Sequence, residues 1–160
     1  MEPITANVNI VQESDVMSAA GPPHSYLGIA FAMLPGVRVL SESAPTSLAL
    51  PLVAAHTLEC LLKAYLSRDG SDASIRKPEV RHNLLRLWDM CQEEGLPVNP
   101  PSEWVAMLSQ LHDKPYYLRY ATGVHGIVHP AAEPMTAQLH GLANIVSQNL
   151  RKPKKAPSDA

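Results

Sequence analysis

Residues 47–70, SLALPLVAAHTLECLLKAYLSRDG, constrain the fold of this chain more than any other stretch. Thr46 or Ser47 can cap a helix here, Pro51 falls in its first turn where no backbone donor is lost, and Gly70 supplies the stop. Its polar positions, His56, Glu59, Lys63 and Ser67, recur at spacings of three and four and form one stripe. All the remaining circumference is apolar. A helix with so narrow a wet face belongs at the centre of a bundle. The run is interrupted by Pro51, His56, Glu59 and Lys63, and so falls short of the roughly 20 uninterrupted apolar residues of a membrane span. A core helix, with no membrane association, is expected.

Other segments carry helix punctuation around it. In GPPHSYLGIAFAMLPG, Pro22 and Pro23 suit a first turn, Leu27, Phe31 and Leu34 recur on one face, and Pro35-Gly36 reads as a stop. RHNLLRLWDMCQEEG places Leu84, Leu85, Trp88 and Cys91 on a stripe, closed by Gly95-Leu96-Pro97. NPPSEWVAMLSQLHDKP has Ser102 as N-cap, Trp104, Leu108 and Leu111 inward, and Pro115 as terminator. The last helix aligns Leu139, Leu142, Ala143, Val146 and Leu150. With one Phe, two Trp and five Tyr, the core must be built mainly from Leu, Ala, Val and Met, a composition that favours helix over sheet. The expected fold is all-α, an up-and-down bundle of four to five antiparallel helices over residues 21–152. Residues 1–20 read as an N-terminal extension whose ANVNIV is the one strand-like stretch, and residues 153–160 as a disordered basic tail.

The formal charge of −2 is unevenly distributed. RKPKKAPSDA, the last ten residues, carries four of the 13 basic and one of the 15 acidic side chains, leaving 9 basic against 14 acidic. Such an acidic body repels polyanions unless cations are concentrated locally, which opposes general nucleic-acid binding but permits a small RNA site. Cys60 and Cys91 lie within apolar helical patterns with no C-x-x-C pair and no secretory leader, so a reduced, cytoplasmic protein is expected.

Seven histidines raise the question of metals. His125 and His129 are four apart, but Gly126 and Pro130 interrupt a helix between and after them, and no paired acidic ligands accompany them. The one Glu-x-x-His motif, Glu79 to His82, is half of what a di-iron bundle requires, and its place in a polar connection reads as a helix start. No metal and no cofactor is expected. A nucleophile elbow, a glycine-rich phosphate loop and a redox cysteine pair are all missing.

What stands out is YYLRYATGVHGIVHP, residues 116–130, between two helical segments. The order AAHTLECLLKAYL, RHNLLRLWDMC, YYLRYATGVH and a final amphipathic helix resembles the HEPN superfamily of small helical bundles. In that family a central A-x-x-x-E-x-x-LKA helix precedes a helix opening on H-[DN]-L and, later, an arginine-centred segment. Glu59, Leu62-Lys63-Ala64 and His82-Asn83-Leu84 match as they stand. The similarity spans roughly residues 26–150.

The resemblance implies a homodimer with a composite cleft and, in many members, metal-independent ribonuclease activity from Arg-x(4 to 6)-His. Arg119 and His125, with five residues between them, fit as the catalytic pair. Arg76 and His82 have the same spacing, so position before the last helix, rather than spacing, selects the first pair. Histidine titrates near neutrality and can move the proton of a ribose 2′-hydroxyl, while arginine clamps phosphate oxygens with paired hydrogen bonds. Tyr116, Tyr117 and Tyr120 are candidate base-stacking groups or covers for the core end. His56 could reach the cleft; Glu59 and Lys63 read most simply as a helix ion pair, which in a dimer cleft could instead orient Arg119.

Tyr120 stands where catalytic members commonly have a polar residue, and Ile127 where some paired toxins have tyrosine. Two functional expectations follow: a ribonuclease of toxin or defence type, working with an antitoxin-type protein partner, or a non-catalytic module binding nucleotide, RNA or a partner protein. A third is a bundle that serves only assembly.

Overall fold

The computed structural model describes residues 20–120 and 126–153. The strand-like ANVNIV and all of the basic tail past Pro153 lie outside them. All regular structure among the described residues is helical: α1 His24–Ser43, α2 Ala49–Leu66, a short 3-10 turn Ala73–Arg76, α3 Leu84–Glu93, α4 Glu103–His112 and α5 Ala132–Asn149. The all-α bundle expected from the pattern is therefore what forms.

Helix α2 is central and packs against α1, α3, α4 and α5. Its length and apolarity would suffice to cross a membrane, yet 78% of it is buried within the bundle. Leu50, Leu58, Leu61, Leu62 and Leu66 are fully enclosed and point to different sides. Burial of each such side chain contributes about 1.5–3 kcal/mol, and no isolated helix of this length could secure that alone. Ser47 Oγ accepts the Ala49 N–H at 3.2 Å and so holds the helix entrance.

Two expectations are corrected. Helix α1 does not stop at Pro35-Gly36 but runs through them to Ser43. The proline forfeits one backbone bond, and both it and Phe31, whose carbonyl would have received that bond, lie on the solvent side, where water replaces the lost partner. Its inward face is consequently Ala30, Leu34 and Val37, whereas Phe31 is 44% exposed. The second correction concerns the α2 stripe: Glu59, Lys63 and Ser67 are buried and His56 is half-buried, with Tyr26 of α1, His82 before α3 and His112 of α4 set against Glu59 and Lys63.

Helix α3 starts at Asn83, whose side chain accepts the Arg86 N–H at 2.9 Å, and buries Leu84, Leu87, Trp88 and Cys91. Gly95, at φ 89°, ends it, and the Leu96 N–H then bonds the Cys91 carbonyl at 2.8 Å. Asn83→Ala should cost about 1 kcal/mol in urea unfolding, since a ten-residue helix has no other side-chain cap at this end. Ser102 occupies the N-cap position of α4 without a capping bond, its hydroxyl donating instead to Gln138 Oε1 on α5. Trp104, Leu108 and Leu111 of α4 and Leu139, Leu142, Ala143 and Val146 of α5 face inward as expected.

Candidate functional site

The buried stripe of α2 is organised around one carboxylate. Glu59 Oε1 accepts from Lys63 Nζ at 2.6 Å, one turn along the same helix. Its other oxygen, Oε2, meets His82 Nδ1 at 3.0 Å and His112 Nε2 at 2.5 Å. His82 precedes the α3 cap and His112 ends α4, so three separate elements converge on this side chain. Burial alone would raise the Glu59 carboxyl, but the hydrogen bond from His112, the Lys63 charge and bond, and the His82 bond outweigh it and hold the group at about 2. Glu59 is thus a fixed anion, and Lys63 its buried countercharge. Lys63 Nζ also lies 5.8 Å from the centre of the Tyr26 ring, within cation–π range.

The segment after α4 extends this cluster to the surface. Tyr116 has φ 64°, a left-handed conformation costing a bulky residue about 1–2 kcal/mol. It is kept there by bonds from the Tyr116 N–H to the Asp113 carbonyl and from the Arg119 and Tyr120 N–H groups to the Tyr116 carbonyl. The strained backbone carries a ring that meets His82 edge-on at 5.9 Å, while the Arg119 guanidinium sits 5.9 Å from the same ring. Strain of this kind is retained where the surrounding structure demands a particular side-chain position. Tyr120, 59% exposed, stands 6.4 Å from Tyr116 in a T-shaped pair.

His56 borders the cluster. Burial lowers its imidazole below the ordinary value; Glu59 opposes that shift, and the positive charges of Arg119 and Lys63 add to it. Its Nε2 lies 3.8 Å from Cys60 Sγ. The Cys60 thiol is itself pushed up to about 12 by burial and by Glu59, so it is no nucleophile. Both cysteines are free and buried.

Glu59, His82 and His112 could in principle ligate a metal, since one donor atom from each lies within 4.8 Å of the others. Their surroundings do not fit that role. A metal-bound histidine normally passes its second N–H to a partner, and His112 Nδ1 is buried with none. Coordination through Nε2 would therefore strand a buried donor, whereas a proton on Nε2, donated to Glu59, strands only a lone pair. Lys63, 2.6 Å from the same carboxylate, adds positive charge where a cation would bind. The group suits a hydrogen-bonded hub.

Of the residues singled out from sequence, Glu59, Lys63, His56, Tyr116, Tyr120 and Arg119 come together here. Tyr117 is half-buried and makes no hydrogen bond or ring contact with the others among the described residues. His125 lies outside the described residues, and His129 Nδ1 pairs locally with the Pro130 carbonyl at 3.0 Å. Arg76, of the competing spacing, is spent on Asp72 at 2.9 Å. Sequence reasoning did not assign His82 and His112 to the site. His82 carried a signal, as the first residue of the H-N-L motif; His112 had none, being one polar residue at a helix end.

A groove of about 590 Å³ between α3, α4 and α5 shares no residue with this cluster. No charged side chain lines it, and its two indole N–H groups are already bonded, Trp88 to the Asn99 carbonyl and Trp104 to Gln138. Chemistry is concentrated at the Glu59 end. Comparisons with family models, curated proteins and solved structures gave no match for this chain.

Proposed function

We propose that this protein is a HEPN-like, metal-independent RNA endonuclease of toxin or defence type, with Arg119 holding the scissile phosphate and His125 moving a proton. One observation carries this reading. The three segments that resemble the family, centred on Glu59, on His82 and on Arg119, are far apart in sequence and meet at one end of the bundle. Arg119 is exposed there, and its guanidinium can offer two parallel N–H groups to a phosphate. A homodimer would set two such ends against each other, and an antitoxin-type protein would be the natural cover.

The test is digestion of RNA in EDTA. The parent protein should cleave, while Arg119→Ala and His125→Ala should each lose about 100-fold or more, the scale for removing one preorganised transition-state contact. Intact RNA after incubation with folded protein overturns the proposal.

Tyr120 favours a second reading, a non-catalytic module binding nucleotide or RNA. It follows the arginine directly, is 59% exposed and pairs edge-on with the Tyr116 ring that Arg119 adjoins, a combination suited to stacking on and clamping a nucleotide without performing chemistry. Saturable binding, lost in Arg119→Ala and unaccompanied by turnover, would distinguish it.

A further inference from the structure

The hub around Glu59 holds two histidines that differ in one respect. The His112 side chain is fully enclosed, whereas His82 retains 23% exposure. His82 Nδ1 is engaged by Glu59 at 3.0 Å. Among the described residues its Nε2 has no hydrogen-bond partner and is not sealed from solvent. Glu59 is an anion and only accepts, so the bond requires the His82 proton on Nδ1, and in the neutral imidazole Nε2 then carries the lone pair. The ring is further fixed edge-on to Tyr116 at 5.9 Å and to His112 at 5.8 Å. A carboxylate that sets the tautomer and orientation of an imidazole, with the other nitrogen free, is the arrangement by which a histidine becomes a general base.

We propose that His82 is a second proton-transfer residue of this site, oriented by Glu59, with its free Nε2 accepting the 2′-hydroxyl proton of an RNA strand whose phosphate is held by Arg119. This rests on the ribonuclease reading and adds to it a second proton-transfer residue beside His125. His82 and Arg119 both adjoin the Tyr116 ring, each 5.9 Å from its centre. The proton passes from the 2′-oxygen to His82 Nε2 as that oxygen bonds to the adjacent phosphorus. The bond from phosphorus to the 5′-oxygen breaks, and the leaving oxygen takes a proton from water. The products are a 2′,3′-cyclic phosphate and a 5′-hydroxyl, and His82 returns its proton to water. Glu59 is a positioning residue, Lys63 holds Glu59, and His112 completes the hub from α4.

Two measurements test the assignment. Long-range nitrogen–proton NMR of the parent protein at neutral pH should show His82 protonated on Nδ1 and bare on Nε2, the reverse of free histidine's preference. An Nε2–H tautomer overturns the proposal without reference to any activity. In RNA digestion, His82→Ala should lose about 100-fold or more, the ordinary yield of general base catalysis, and added imidazole should restore part of it. A merely structural role would show no rescue. Parent-like cleavage by His82→Ala overturns the base assignment and leaves the ribonuclease reading standing. A parent protein inert towards RNA overturns both.

Discussion

Replacing Glu59 with alanine should destabilise the protein by about 3–5 kcal/mol in urea unfolding, because it leaves the Lys63 ammonium buried without a counterion and two imidazoles without their acceptor. Glu59→Gln should cost less, since an amide oxygen still accepts one bond, but it too abandons the countercharge. The parent should also show an acid sensitivity that Glu59→Gln lacks. The folded carboxyl is held at about 2 against an ordinary 4.5, so its contribution is complete above pH 4.5 and disappears as pH falls towards 2. At one to one-and-a-half kcal/mol per unit this amounts to about 3 kcal/mol. Unfolding free energies at pH 5.5 and pH 3 should therefore converge between parent and variant. Parallel pH dependences would show that Glu59 is not the held-down group.

Arg68→Ala should produce the other large loss, about 3 kcal/mol, at the exit of α2. The Arg68 side chain is 1% exposed, and its Nη1 donates to Glu94 Oε2 at 2.6 Å and to the Tyr65 carbonyl at 2.9 Å. Its Nε donates to the Lys152 carbonyl at 3.2 Å, and the guanidinium stacks 4.0 Å over the Tyr65 ring. One side chain thus joins the exit of α2, the end of α3 and the chain beyond α5. Removing one partner of an enclosed ion pair usually costs 3–5 kcal/mol, and Glu94, part-exposed, can turn to water and keep the loss near the lower figure. Arg68→Lys should recover less than half, because an ammonium cannot reach three acceptors in one plane or stack on the ring. Thermal unfolding of both variants measures the difference.

Much of the bundle was legible from the chain because its signals are local. The apolar circumference of α2, Asn83 before a hydrophobic stripe and Gly95 after it act within a few residues of themselves. The end of α1 was misread for the same reason: Pro35 is a local stop signal, but its cost depends on whether the carbonyl four residues back faces water or core. The α2 stripe was read as wet because helical spacing reports that polar residues share a face. It does not report what covers that face.

From sequence alone came the helical class, the central place of α2, and Arg119 and Glu59 as residues to examine. Local periodicity and motif order carry those. Tertiary structure decided that Glu59 is enclosed, that His82 and His112 share its Oε2, and that Tyr116 adjoins both His82 and Arg119. Those relations join residues 23 and 53 positions apart from Glu59. The physical reason is that a hydrogen bond across such separations leaves no periodicity in the chain; it exists only once the helices that carry its two ends have packed.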